Sequence, residues 1–68
     1  MKIFQERLKE LRKLYGLTQR QMAERLDIAQ PSYIRYENGS SEPTLENLLN
    51  IAEIFDVSVD YLLGRKDI

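Results

Sequence analysis

The segment Thr18-Gln19-Arg20-Gln21-Met22-Ala23-Glu24-Arg25-Leu26-Asp27-Ile28-Ala29-Gln30-Pro31-Ser32-Tyr33-Ile34-Arg35-Tyr36-Glu37-Asn38-Gly39 reads as two short helices joined by a tight turn. Thr18 and Gln21 form a capping box: the Thr18 hydroxyl accepts the Gln21 amide, and the Gln21 side chain returns to the Thr18 amide. The helix opened there runs to about Leu26 and turns Met22, Ala23 and Leu26 inward. Asp27 falls where the chain must turn sharply, and Ile28 is the apolar plug for the corner. Pro31 suits the first turn of the following helix, where no intrahelical amide bond is required. Asn38-Gly39 then supplies a left-handed stop after about two turns.

Working outward, Phe4, Leu8, Leu11 and Tyr15 recur at helical spacing with Lys9, Glu10 and Lys13 off the stripe. This predicts an amphipathic first helix over about residues 3–15, closed by Gly16. On the other side, Pro43-Thr44 opens a fourth helix with Thr44 as its cap, and Leu45, Leu48, Leu49, Ala52 and Phe55 form its expected buried stripe. Ser58 caps a short fifth helix, with Val57 and Leu62 placed as a hydrophobic staple and Gly64 as the stop. The expected fold is all-α, a compact five-helix unit forming one domain over residues 1–68 with its helix-turn-helix at about 18–38. Gly64-Arg65-Lys66-Asp67-Ile68 reads as the beginning of a tail or linker.

A chain of 68 residues makes one small core, because a domain near this length buries only about 60% of its unfolded surface. It contains neither cysteine nor histidine, which removes disulfides, thiolate or imidazole metal sites, and Cys/His or Ser-His-Asp nucleophile systems. No cofactor or metal is expected. Apolar residues never run long enough to cross a bilayer, and the first residues turn charged where a signal peptide would be apolar. The expected location is the cytoplasm, with no membrane partner and no small-molecule substrate.

The formal net charge of −1 argues, taken alone, against a nucleic-acid binder. Its distribution argues otherwise. Residues 1–36 carry eight basic and four acidic side chains, whereas residues 37–68 carry seven acidic and two basic ones. That asymmetry suggests one side facing a polyanion and another facing solvent or a partner; a surface sorted by chance is the plainer alternative.

A helix offered end-on to a DNA major groove brings only its first two turns to the bases. Gln30 and Arg35 stand five apart near the start of the third helix, with Pro31, Ser32 and Ile34 on the same leading surface. Gln can pair bidentately with adenine and Arg with guanine, each good pair contributing about 1–3 kcal/mol of discrimination. The candidate base contacts are therefore Gln30, Pro31, Ser32 and Arg35. Pro31 or Ile34 could meet a thymine methyl, although Ile34 could equally pack at a domain or dimer edge. Thr18, Gln19 and Arg20 combine unpaired backbone amides with polar side chains at a positive dipole end, making them candidate phosphate contacts together with Asn38. For Thr18, capping alone would also explain its presence. Tyr33 and Tyr36 lie on the opposite face and read as core, each hydroxyl reaching an edge. Arg12, on the flank of the first helix's stripe, is either a solvated charge or a buried one with Glu37 as candidate partner.

These pieces together resemble the helix-turn-helix family of phage repressors and Cro proteins, the XRE family, over nearly the whole chain from Phe4 to Gly64. The matching motifs are Leu8-Lys9-Glu10-Leu11-Arg12, Gly16-Leu17-Thr18-Gln19 with Ala23, Tyr36-Glu37-Asn38-Gly39, Pro43-Thr44-Leu45, and Val57-Ser58-Val59-Asp60-Tyr61-Leu62-Leu63-Gly64. The resemblance implies a structural Arg12–Glu37 salt bridge, base contacts at Gln30, Pro31 and Arg35, phosphate contacts at Gln19 and Asn38, and the family's docking mode. Three positions depart from the pattern. Asp27 replaces the usual turn glycine, Ala29 replaces a Ser or Thr cap, and Pro31 lacks a hydrogen-bonding side chain.

The function expected is a sequence-specific, double-stranded DNA-binding transcriptional regulator, a repressor acting as a dimer on a palindromic operator. Val57, Val59, Tyr61 and Leu62 are the candidate dimer contact, or else simply close the core; the homodimer is expected to be weak away from DNA. The alternative is an antitoxin-like protein-interaction module using the same fold. An enzyme is not expected, since no paired-carboxylate cleft, metal spacing or glycine-rich phosphate loop is present.

Overall fold

The computed structural model describes every residue from Met1 to Ile68. Five helices follow one another: α1 (Lys2–Leu14), α2 (Gln19–Leu26), α3 (Gln30–Asn38), α4 (Leu45–Phe55) and α5 (Val59–Leu62). The fold is all-α, as expected. No helix is long and apolar enough to cross a membrane.

Helix boundaries follow from local chemistry. The capping box of α2 forms in full: Gln21 N donates to Thr18 Oγ1 at 3.0 Å, and Thr18 N donates to Gln21 Oε1 at 2.9 Å. Thr44 caps α4 and Ser58 caps α5 in the simpler way, each accepting the amide three residues on. Ala29 cannot do this, and α3 begins with no side-chain cap.

Two helices stop in the same manner. After α2 the Asp27 amide donates to Glu24 O at 3.1 Å and the Ile28 amide to Ala23 O at 3.0 Å; after α4 Asp56 donates to Glu53 O at 3.2 Å and Val57 to Ala52 O at 3.0 Å. Both aspartates occupy the left-handed region, at φ 55° and 53°, a conformation that Asp tolerates better than most residues because its short polar side chain bonds locally. The apolar residue after each, Ile28 or Val57, packs against the core, the contact that usually accompanies this stop. At the end of α3 a left-handed backbone calls for glycine. Gly39 has φ +85°, and a Cβ there would run into the end of the Gln5 side chain and have to displace it.

One core cluster joins Phe4, Leu8 and Leu11 of α1, Met22, Ala23 and Leu26 of α2, Tyr33 and Tyr36 of α3, Ile51, Ala52 and Phe55 of α4, and Leu62 of α5. Each fully buried Leu or Ile side chain contributes about 1.5–3 kcal/mol relative to exposure. The sequence reading of α4 needs correction: Leu45 is 74% exposed and Leu49 49% exposed, while Ile51 is fully buried. At 3.6 residues per turn, Leu48, Ile51, Ala52 and Phe55 form one stripe, and Leu45 and Leu49 fall on its flank. Tyr15 lies past the end of α1 and is half-exposed. Its ring meets Phe55 edge-on at 5.1 Å and its hydroxyl donates to Phe55 O at 2.9 Å.

Candidate nucleic-acid interface

Helix α3 is divided lengthwise. Tyr33, Tyr36 and Glu37 are buried, whereas Gln30, Pro31 and Arg35 are exposed and Ser32 and Ile34 half-buried. The buried face holds the helix by aromatic packing: the Tyr33 and Tyr36 rings meet edge-on at 6.3 Å, and the Tyr36 hydroxyl accepts Asn47 Nδ2 at 3.0 Å. The other face keeps its polar side chains free. Neither Gln30 nor Arg35 has an intramolecular side-chain hydrogen bond or ion pair.

The first turn of α2 supplies donors of a different kind. Thr18 uses its hydroxyl oxygen for the cap and its carbonyl for the Met22 amide, leaving the amides of Gln19 and Arg20 without intramolecular acceptors. Arg20 approaches Glu24 at only 4.0 Å, and both side chains are well exposed, a geometry that contributes little and leaves the guanidinium free to move. Asn38, at the far end of α3, is exposed and accepts the Ser40 amide through Oδ1 at 2.9 Å.

Behind this surface lies a four-residue network centred on Glu37, which is only 5% exposed. Arg12 Nε donates to Glu37 Oε2 at 2.6 Å and Arg12 Nη2 to Oε1 at 3.2 Å. Gln19 Nε2 donates to Oε1 at 3.2 Å, and the Tyr33 hydroxyl donates to Oε2. Arg12 also spends Nη1 on Leu17 O at 2.9 Å, tying the end of α1 to the turn before α2. No buried polar side-chain atom is left unpaired. Burial works against the Glu37 charge, but the hydrogen bonds from Arg12, Tyr33 and Gln19, aided by the Arg12 charge, outweigh it and hold the carboxyl below the usual glutamate range. The hydrogen bond to Glu37 raises Arg12 despite its desolvation. Burial first, then the neighbouring carboxylate, pushes the Tyr33 phenol well above its ordinary value, so it keeps the proton that it donates to Glu37.

Among the candidate dimer residues, Val57, Val59 and Tyr61 are half-buried, but Leu62 is fully buried within its own core. Leu62 must be withdrawn as a contact, because it closes α5 onto α1 and α4 and presents nothing outward. Tyr61 is itself partly covered: the Arg7 guanidinium lies 4.2 Å from its ring centroid and donates to Tyr61 O and, at 2.7 Å, to Lys66 O. The links of Gln19 and Tyr33 to Glu37 were missed from sequence. The second had a signal, since residues four apart on a helix face one another; the first joins two helices and had none.

A helix that buries one face in a helical core and leaves polar residues along its leading edge, preceded by a capped helix across a tight turn, defines a helix-turn-helix protein. The chain belongs to that family, in its XRE branch, and the family's profile matches residues 8–62. It is 52% identical over 61 residues to the uncharacterized HTH-type transcriptional regulator YqaE of Bacillus subtilis, an overlap of 90% of this chain and 53% of that protein. It is 48% identical over 65 residues to the cryptic phage CTXphi transcriptional repressor RstR of Vibrio cholerae, covering 96% of this chain and 57% of the repressor. A crystal structure of a transcriptional regulator from Listeria innocua superposes with a TM-score of 0.85 at 36% identity, over 90% of this chain and 57% of that one. The chain thus spans about half the length of the relatives it matches. By name these relatives are transcriptional regulators, not enzymes.

Proposed function

We propose that this chain is a sequence-specific, double-stranded DNA-binding transcriptional regulator, a repressor that acts in the cytoplasm by occupying a palindromic operator as a dimer. The observation that carries the reading is the division of α3: its inner face is locked in the core, while Gln30, Pro31, Ser32 and Arg35 occupy its outer edge. In the docking mode of this family that edge enters the major groove. Gln30 then reads adenine and Arg35 guanine, with Pro31 offering an apolar surface to a thymine methyl and Ser32 a single hydroxyl. The free amides of Gln19 and Arg20, the side chains of Thr18, Gln19 and Arg20, and the Asn38 amide meet phosphates and set the register without reading sequence. Two copies related by a two-fold axis would meet through Val57, Val59 and Tyr61, a small surface that suits a dimer formed mainly on DNA. Residues 1–68 act as the single DNA-binding domain.

The test is selection of bound duplexes from a random double-stranded pool near physiological salt. Recovery of an inverted repeat with half-sites about one helical turn apart, 10–10.5 base pairs, supports the dimeric regulator. Weak, salt-sensitive retention without enrichment rejects it and favours a protein-interaction module.

A further inference from the structure

The Glu37 carboxylate accepts four hydrogen bonds, three of which come from groups inside the domain and the fourth from a residue on its outer rim. Arg12 supplies two and Tyr33 one; Gln19 supplies the last, through Nε2 at 3.2 Å. Gln19 is also the first residue of α2, where its own backbone amide and that of Arg20 are free. A carboxylate can only accept, so it orients the Gln19 carboxamide with nitrogen inward. One amide hydrogen serves Glu37, and the second remains for an acceptor outside. Were the carboxamide turned over, its oxygen would replace that donor beside two backbone amides that already favour an anion, and would repel a phosphate.

The Tyr33 hydroxyl shares with Arg12 in holding the carboxylate that sets this orientation. Tyr33 is fully buried, and its hydroxyl bonds Oε2, the same oxygen that takes Arg12 Nε, while Oε1 takes Gln19 and Arg12 Nη2. The carboxylate is therefore held at Oε2 by Tyr33 and Arg12 together and at Oε1 by the second arm of Arg12, which leaves Oε1 at a defined place for Gln19. We propose that Tyr33 is a positioning residue for phosphate binding: through Glu37 it fixes the Gln19 carboxamide as a donor to the DNA backbone, although Tyr33 itself never touches DNA. The proposal rests on the reading of this chain as a DNA binder with Gln19 at a phosphate.

Tyr33→Phe keeps the ring and removes only the hydroxyl. Affinity for a short fluorescent duplex carrying the selected sequence is measured for the parent chain, Tyr33→Phe, Gln19→Ala and the double variant, at a temperature where all are folded. Tyr36→Phe serves as control, because it also removes a buried hydroxyl from α3, one that bonds Asn47 and not Glu37. The expected result is a roughly threefold to tenfold weakening by Tyr33→Phe, the same on selected and mixed-sequence duplexes, no further weakening when it is added to Gln19→Ala, and no effect of Tyr36→Phe. In the absence of DNA, the Gln19 side-chain amide resonances should move in Tyr33→Phe and stay in Tyr36→Phe. Equal weakening in both backgrounds, equal weakening by the control, or unmoved Gln19 resonances overturns the proposal. If the parent chain binds neither duplex, the underlying reading falls and the proposal with it, an outcome distinct from normal parent binding with an indifferent Tyr33→Phe.

Discussion

At the scale of single residues, Glu37 and Arg35 illustrate opposite uses of charge on one short helix. Glu37 is buried against a half-buried Arg12 and holds α3 against α1; removing a single member of such a pair leaves an uncompensated charge. Glu37→Ala should therefore lower stability by about 3–5 kcal/mol, read as a lower melting temperature or denaturant midpoint, and an unchanged melt would refute the structural role. The same carboxylate gives a pH signature. Its folded pKa lies below the ordinary value, so its stabilising contribution is complete above the unfolded glutamate pKa of about 4.3 and is lost as pH falls through the lower folded value. Glu37→Gln has no such group to protonate, and its stability curve should be flatter on the acid side than the parent's. Arg35 is exposed and unpaired, so Arg35→Ala should leave the melt nearly unchanged while relaxing base preference at one position per half-site, by about 1–3 kcal/mol; an unaltered preference matrix after selection would rule out its role as a base reader.

Among the helices that follow α1, α3 is the one with a remediable defect. It starts at Ala29 in an extended conformation, φ −68° and ψ 146°, with no side chain to cap it, whereas α2, α4 and α5 each have a hydroxyl in the equivalent place. Ala29→Ser should thus stabilise the protein by about 0.5–2 kcal/mol, and a thermal melt that fails to rise would show that the Ala29 site cannot host the cap. Capping chemistry is also the reason the elements were legible in the sequence: Thr18 with Gln21, Thr44, Ser58, Gly16 and Gly39 mark ends through short-range bonds that need no knowledge of the partner helix. Side-chain burial is less legible. Leu45 and Leu49 look no different from Leu48 in composition, and only the direction in which α4 crosses its neighbours decides that the stripe runs through Leu48, Ile51, Ala52 and Phe55. The outer edge of α3 could be read for the same reason as the caps, since Gln30, Pro31, Ser32 and Arg35 are close in sequence. The bond from Gln19 to Glu37 spans 18 positions and depends on the packing of α2 across α3.

For the molecule as a whole, the net charge of −1 means that DNA affinity cannot come from the overall charge, only from basic side chains gathered in residues 1–36. It must come from a few placed groups, and of the four candidate phosphate contacts only Arg20 bears a charge. Counterion release then limits the salt dependence: each cationic phosphate contact steepens the log–log slope of affinity against salt by about 0.9, so the slope should be shallow for a DNA-binding protein. Arg20 is held only by a 4.0 Å approach to Glu24, which costs it little to leave. Arg20→Ala should weaken binding to selected and unselected duplexes alike and flatten the slope by about 0.9 for each bound copy, about 1.8 if two copies occupy the site together. Titrations over a range of salt concentrations make this measurement without knowledge of the operator's target genes. A change near the larger value on an inverted repeat, and near the smaller on an isolated half-site, is what two-fold occupancy requires. An identical change on both would mean that the second half-site adds no second Arg20, and the dimeric mode of binding would have to be abandoned.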